Sequence, residues 1–166
     1  MAATTRVELG APTHSKKWYL DVNAGTHAAP VWTAVNGINN FKPGIDPTTK
    51  DNSSYASDGW GSDVVTKRKW TLTFKAWRNV DPVDDGEYDD GQEILRAASD
   101  AFGTDARVEV RWYEMEDEGP RKEAYQGYAS VGWSPDGGSD EDLDSVSVSL
   151  FGQGKRNAIT HPSPNS

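Results

Sequence analysis

Three histidines, His14, His27 and His161, are the side chains best suited to holding a metal or moving a proton near neutral pH. No two of them stand four residues apart, as the histidines of a helical zinc motif do, so each reads as a surface residue of a loop or tail. Cysteine is absent, which removes thiolate ligands, thiol nucleophiles and disulfides together. The acid-rich stretch from Asp81 to Asp90 resembles a calcium loop only in composition. Val83 stands where an oxygen ligand is required, and Gln92 replaces the closing glutamate. The run Asp136, Gly137, Gly138 with Asp140, Glu141, Asp142 and Asp144 reads as a solvated hairpin turn. No cofactor or metal is expected.

Paired carboxylates can hydrolyse glycosides and exposed tryptophans can stack on sugars, so a carbohydrate-binding or carbohydrate-active β-sandwich is one functional class to weigh. Acids are too plentiful for any pair to stand out, and most of the seven tryptophans fall on strand positions, where aromatics serve cores and interfaces. A phosphate-cradling glycine loop and a nucleophile elbow are both missing. The chain therefore reads as a structural protein and not an enzyme.

Charge is distributed unevenly. Residues 1–80 carry ten Lys or Arg against six acids, a balance of +4; residues 81–166 carry seven against twenty, a balance of −13, for a total of −9. Such a chain repels phosphate on average, so specific DNA binding is disfavoured while passage of DNA is not. Opposite-signed surfaces on one molecule also suit head-to-tail contacts between copies. There is no apolar run of transmembrane length and no secretory leader, which predicts no membrane role and assembly in a cytoplasm.

These residues must be positioned by elements whose periodicity is mostly two, the signature of half-buried strands. Strands are expected at 17–22, at 31–35 ending in the Asn36-Gly37 turn, at 64–77, at 107–115, at 122–133 and at 143–150. The strand at 64–77 is longer than the usual ~5–6 residues, which predicts that it spans a barrel or projects to a neighbour. Its polar face carries Lys67, Lys69 and Lys75, expected to meet acids of a neighbouring copy or the outer surface. One helix is indicated by Ile94, Leu95, Ala98 and Phe102 packing on the sheet, with Asp90 as N-cap and Gly103 as terminator. The predicted class is mainly β, a sandwich or half-barrel with one flanking helix.

The segment 37–63 is too long for an ordinary loop and carries Phe41, Ile45, Tyr55 and Trp60, with Asp46, Asp58 and Asp63 alongside. It reads as an arm packing on another copy. Residues 1–16 form a flexible N-terminal arm, 17–153 the β-domain, and 154–166, with Pro162 and Pro164, a flexible C-terminal tail.

Several motifs in order then suggest a family: Trp18-Tyr19-Leu20-Asp21-Val22-Asn23, Val31-Trp32 through Gly37-Ile38, Trp60-Gly61-Ser62-Asp63, Asp90 to Leu95, Val108 to Tyr113, Tyr125 to Tyr128, Trp133-Ser134-Pro135 and Phe151 to Gly154. Over residues 17–160 the chain resembles major tail tube proteins of actinobacterial siphophages. The resemblance implies a virion protein whose hexameric rings join their inner strands into one continuous β-barrel and stack into a tube. DNA would cross its lumen without specific binding. It further implies a tape measure protein, a tail terminator and a distal tail protein as partners, with the 37–63 arm as the ring-to-ring contact. The tube of a contractile tail or secretion system shares that architecture and stays open as an alternative.

Overall fold

The computed structural model describes residues 2–115 and 120–163; Met1, the segment 116–119 and Pro164 to Ser166, and with them the ends of the two expected tails, lie outside the described residues. Seven antiparallel strands form one sheet. They are β1 (Trp18–Asn23), β2 (Trp32–Ala34), β3 (Ile38–Asp51), β4 (Asp63–Trp77), β5 (Arg107–Glu114), β6 (Ala124–Pro135) and β7 (Ser145–Ala158), in the order β2-β1-β5-β6-β7-β4-β3. The helix α1 (Asp90–Ser99) links β4 to β5.

Alternation explains the core. Trp70, Leu72, Phe74 and Ala76 of β4, Val108, Val110 and Trp112 of β5, and Val146, Val148 and Leu150 of β7 all point inward and are buried, with Leu20 and Val22 of β1. A fully buried side chain of this kind contributes about 1.5–3 kcal/mol, so these strands supply most of the stability.

The sheet is rolled, not flat. Trp70 and Trp112 lie three strands apart in the order, roughly 14 Å along a flat sheet, yet their ring centroids are 4.9 Å apart. Trp18 of β1 and Phe41 of β3 are five strands apart and still meet at 6.2 Å, and Phe41 continues onto Phe74 at 5.8 Å. Aromatic side chains thus close a seam that no backbone ladder bridges. The half-barrel expectation holds in this form, as one curled sheet instead of two facing ones.

Helix α1 packs on the sheet through buried Leu95 and Ala98 and half-buried Ile94. Its N-cap is Asp89, one residue before the expected Asp90: the Asp89 carboxylate accepts from Gln92 N at 3.2 Å and also from the backbone N and Nδ2 of Asn36. Phe102, expected on the packing face, is 90% exposed. The helix stops at Ser99, and the residues from Asp100 to Ala106 turn the chain into β5. Asp100 N–H closes the last turn, and Gly103 at φ 64 opens a short 3-10 turn over Gly103–Ala106.

Gln92 does unexpected work at the top of the helix. Only 2% exposed, it donates through Nε2 to the carbonyls of Asn36 and Trp77 and accepts from Arg78 Nη1. A single amide therefore fastens α1 to the β2–β3 corner and to the end of β4. The Asp81–Asp90 segment is a set of local turns, with Asp81 Oδ1 accepting from the amides of Val83 and Asp84.

Two further differences concern the chain ends of elements. The segment 37–63 is largely strand: β3 runs fourteen residues against β4, through Pro43 and Pro47. Proline is tolerated because β3 is an edge strand, where a nitrogen facing away from the ladder loses no bond. The segment 154–166 is not a plain tail, since β7 continues to Ala158. His161 is buried, with Nε2 2.7 Å from the Glu114 carbonyl oxygen.

Candidate assembly surfaces

Strand β4 has two halves with different surroundings. From Thr71 to Ala76 the strand runs between β3 on one side and β7 on the other, whereas from Asp63 to Trp70 it pairs with β3 alone. Every residue from Asp63 to Lys69 is exposed, and so is β3 from Ile45 to Asp51. The distal half of β3–β4 is thus a two-stranded ribbon extending past the barrel. It ends in a loop with a 3-10 turn at Tyr55–Ser57, where Tyr55 and Trp60 (80% exposed) bury nothing within the chain.

The expected arm residues therefore divide. Tyr55, Asp58 and Trp60 occupy the tip, with Asp58 at φ 55. Asp63 opens β4 opposite Asp51, and Asp46 lies opposite Lys69 on the ribbon. Ile45 pairs with Trp70 at the base and is 40% exposed. Phe41 belongs to none of these, being committed to the barrel seam between Trp18 and Phe74. The basic face also divides: Lys67 and Lys69 are on the ribbon, while Lys75 lies within the sheet, 3.9 Å from Asp136.

Where β4 and β7 part, beyond the Thr71–Phe151 pair, an open groove of about 600 Å³ separates them. Its floor is Trp70, whose indole packs on Gly127 and Gly152 and whose Nε1 donates to the Gly154 carbonyl at 3.0 Å. Its walls are cationic: Lys67, Arg68 and Lys69 from β4, Lys155 and Arg156 from β7. Among the described residues none of these five is in an ion pair; Arg156 lies over the Tyr125 ring at 4.0 Å.

On the outer face of β1, β5 and β6 the polar residues are committed to one another. Asp21, 6% exposed, accepts from Arg111 Nε at 2.8 Å and Tyr113 Oη at 3.2 Å. Burial, reinforced by the Asp21 carboxylate, pushes the Tyr113 phenol up to about 12. Glu109 accepts from Gln126 Nε2 and lies 2.9 Å from His27 Nδ1, at the mouth of a cleft between α1 and the β1–β2 loop. Glu114 accepts from the backbone amides of Lys122 and Glu123, which ties the chain just before β6 to the end of β5. Sequence periodicity alone does not reveal these pairs, because the partners lie up to 92 residues apart. The described residues contain no cluster of three or more metal-ligating groups.

No family model matches the chain, and no curated protein matches it. Its fold does match solved structures. A chain in the tail of an empty gene transfer agent particle, determined with C6 symmetry, aligns with TM-score 0.54 at 12% identity, over 84% of this chain and 95% of that one. The SPP1 tail tube, determined by solid-state NMR and cryo-EM, aligns with TM-score 0.58 at 12% identity, over 89% and 80%. A chain of the six-fold symmetrised anti-feeding prophage baseplate aligns with TM-score 0.59 at 8% identity, over 93% and 100%. The likeness spans nearly the whole chain in each case, and it establishes a shared fold.

Proposed function

We propose that this chain is a structural subunit of a phage-type tail tube, assembling as hexameric rings that stack around a channel for DNA. The observation that carries the reading is the exposed β3–β4 ribbon on a barrel whose fold is shared with tail proteins from six-fold assemblies. A ribbon with an open ladder edge along Asp63 to Trp70 is a liability in a solitary protein. Strand sharing between copies along Asp63 to Thr66 covers the part of that edge beyond the Trp70 groove, as closure of a larger barrel requires. The Tyr55 and Trp60 tip, exposed in the single chain, then becomes a buried contact between rings.

The same reading accounts for the charge. A chain of net charge −9 does not hold DNA tightly, so a channel built from it lets the polymer slide. Its location is a virion tail of the siphophage kind, assembled in the host cytoplasm, and its partners are the tape measure protein, the tail terminator and the distal tail protein. The likeness to a baseplate chain favours one second reading, a tube-like ring at the distal end of a tail.

Negative-stain electron microscopy across a series of concentration and salt tests the proposal. Hollow tubes or six-fold rings are the expected result. Monomers at every condition, with glycan binding that quenches tryptophan fluorescence, would replace it with the carbohydrate-binding reading.

A further inference from the structure

The cationic groove has a matching surface on the same molecule, at the far end of the same strands. The β6–β7 turn, residues 136–144, begins where β4 ends: Arg78 N donates to the Asp144 carbonyl, and Ser145 opposes Trp77. The groove lies at Arg68 to Trp70, roughly 25–30 Å back along β4. The turn cannot fold back to reach it.

Within that turn Asp136 is bonded to Ser145 and Ser147, and Asp142 to Ser139. Asp140, Glu141 and Asp144 have no side-chain hydrogen bond or ion pair among the described residues, and Leu143 between them is 74% exposed. An apolar side chain flanked by uncompensated acids is the complement of an aromatic floor flanked by uncompensated cations. Resting on the reading that copies of this chain assemble, we propose that the Asp136–Asp144 turn of one copy docks into the Trp70 groove of the next. Leu143 lies against Trp70 and Ile45, and Asp140, Glu141 and Asp144 meet Lys155, Arg156 and the β4 cations.

The two surfaces differ, so the contact is heterologous and propagates from copy to copy. It also explains why five cations cluster in a chain that is acidic overall. DNA is the other polyanion that could occupy the groove. The turn is favoured because it supplies an apolar side chain for the Trp70 floor, which a phosphate backbone does not.

The absence of cysteine makes a direct test possible. Single-cysteine variants Lys155→Cys and Glu141→Cys, both at exposed sites, are mixed in equal amounts and treated with a short bis-maleimide. Mixed dimers are expected to exceed dimers of either variant alone by about tenfold, with the excess lost at high salt. In parallel, Lys155→Glu is expected to raise the concentration needed for assembly about tenfold, and Glu141→Lys in its partner to restore it.

Rings or tubes without excess mixed dimer would overturn the contact and leave the tube reading standing. Excess mixed dimer without rings or tubes would do the reverse. No association at any concentration would remove both. A duplex oligonucleotide that binds the intact protein, is lost with Lys155→Glu and blocks the cross-link would make the groove a nucleic-acid track and overturn the proposal.

Discussion

The indole of Trp70 occupies the space that a side chain on Gly152 would need. A Cβ built at Gly152 falls 2.6 Å from the indole ring, and the ring also lies against Gly127 and is held by its hydrogen bond to the Gly154 carbonyl. Two neighbouring strands, β6 and β7, thus give up side chains so that one tryptophan can lie flat against backbone. Overpacking of this kind costs about 1–3 kcal/mol, so Gly152→Ala is expected to lower the free energy of unfolding by that amount. In the Trp70→Leu background the same substitution is expected to cost under half as much, measured by a double-mutant cycle in urea. Additive losses would mean the clash is relieved elsewhere.

Asp89 joins two elements with one carboxylate, capping α1 and holding Asn36. Asp89→Ala is expected to destabilise by about 1–2 kcal/mol, and Asp90→Ala by much less. Equal losses would return the cap to Asp90.

Tyr113 should be among the last tyrosines to ionise. Its raised pKa means the folded state holds the phenol proton longer than the unfolded chain does. The resulting stability is complete below about pH 10 and is lost as pH rises through about 12. Asp21→Asn is expected to shift the phenolate absorbance titration of Tyr113 downward, and Tyr113→Phe to remove its late step. A titration unchanged by Asp21→Asn would deny the carboxylate its part.

In the proposed tube the ribbon tip would separate folding from assembly. Tyr55→Ser with Trp60→Ser is expected to leave monomer stability within about 0.5 kcal/mol, since neither side chain is buried. Rings should nonetheless fail to stack in electron micrographs. Unaltered stacking would place the inter-ring contact elsewhere.

Lys67→Glu with Lys69→Glu is expected to weaken assembly in a salt-dependent way. Lys75→Glu should instead loosen the local contact with Asp136. Light scattering over a salt series distinguishes the two, and identical profiles would restore a single basic face.

The strands with a buried face were legible because the core imprints period two on them. Val146, Val148 and Leu150 against Ser145, Ser147 and Ser149 mark β7, whose observed start at Ser145 lies two residues after the expected one. Strand β3 was not legible, because half of it touches no core and Pro43, Gly44 and Pro47 carry turn chemistry. The second half of β7 was hidden for a related reason: past Phe151 it leaves β4, and its register against β6 breaks between Gln126 and Tyr128, so glycines and charges replace the alternation. Phe102 continued the helical spacing of Leu95 and Ala98, but spacing carries no information about where the chain must turn to enter β5. The groove was invisible because its walls lie 84 residues apart, as the bond from Trp70 to Gly154 measures.

The β3–β4 ribbon has a kinetic consequence. Two strands with neither a third partner nor a covering layer are marginal in water, so the barrel can fold alone while its extension becomes fully ordered only against company. Two free copies that meet must both bear that ordering entropy before any contact rewards it. A copy arriving at an existing end finds one ribbon already fixed. If the chain assembles as proposed, initiation is expected to be slow and elongation fast, with a lag phase that a preformed seed abolishes and that favours a few long polymers over many short ones.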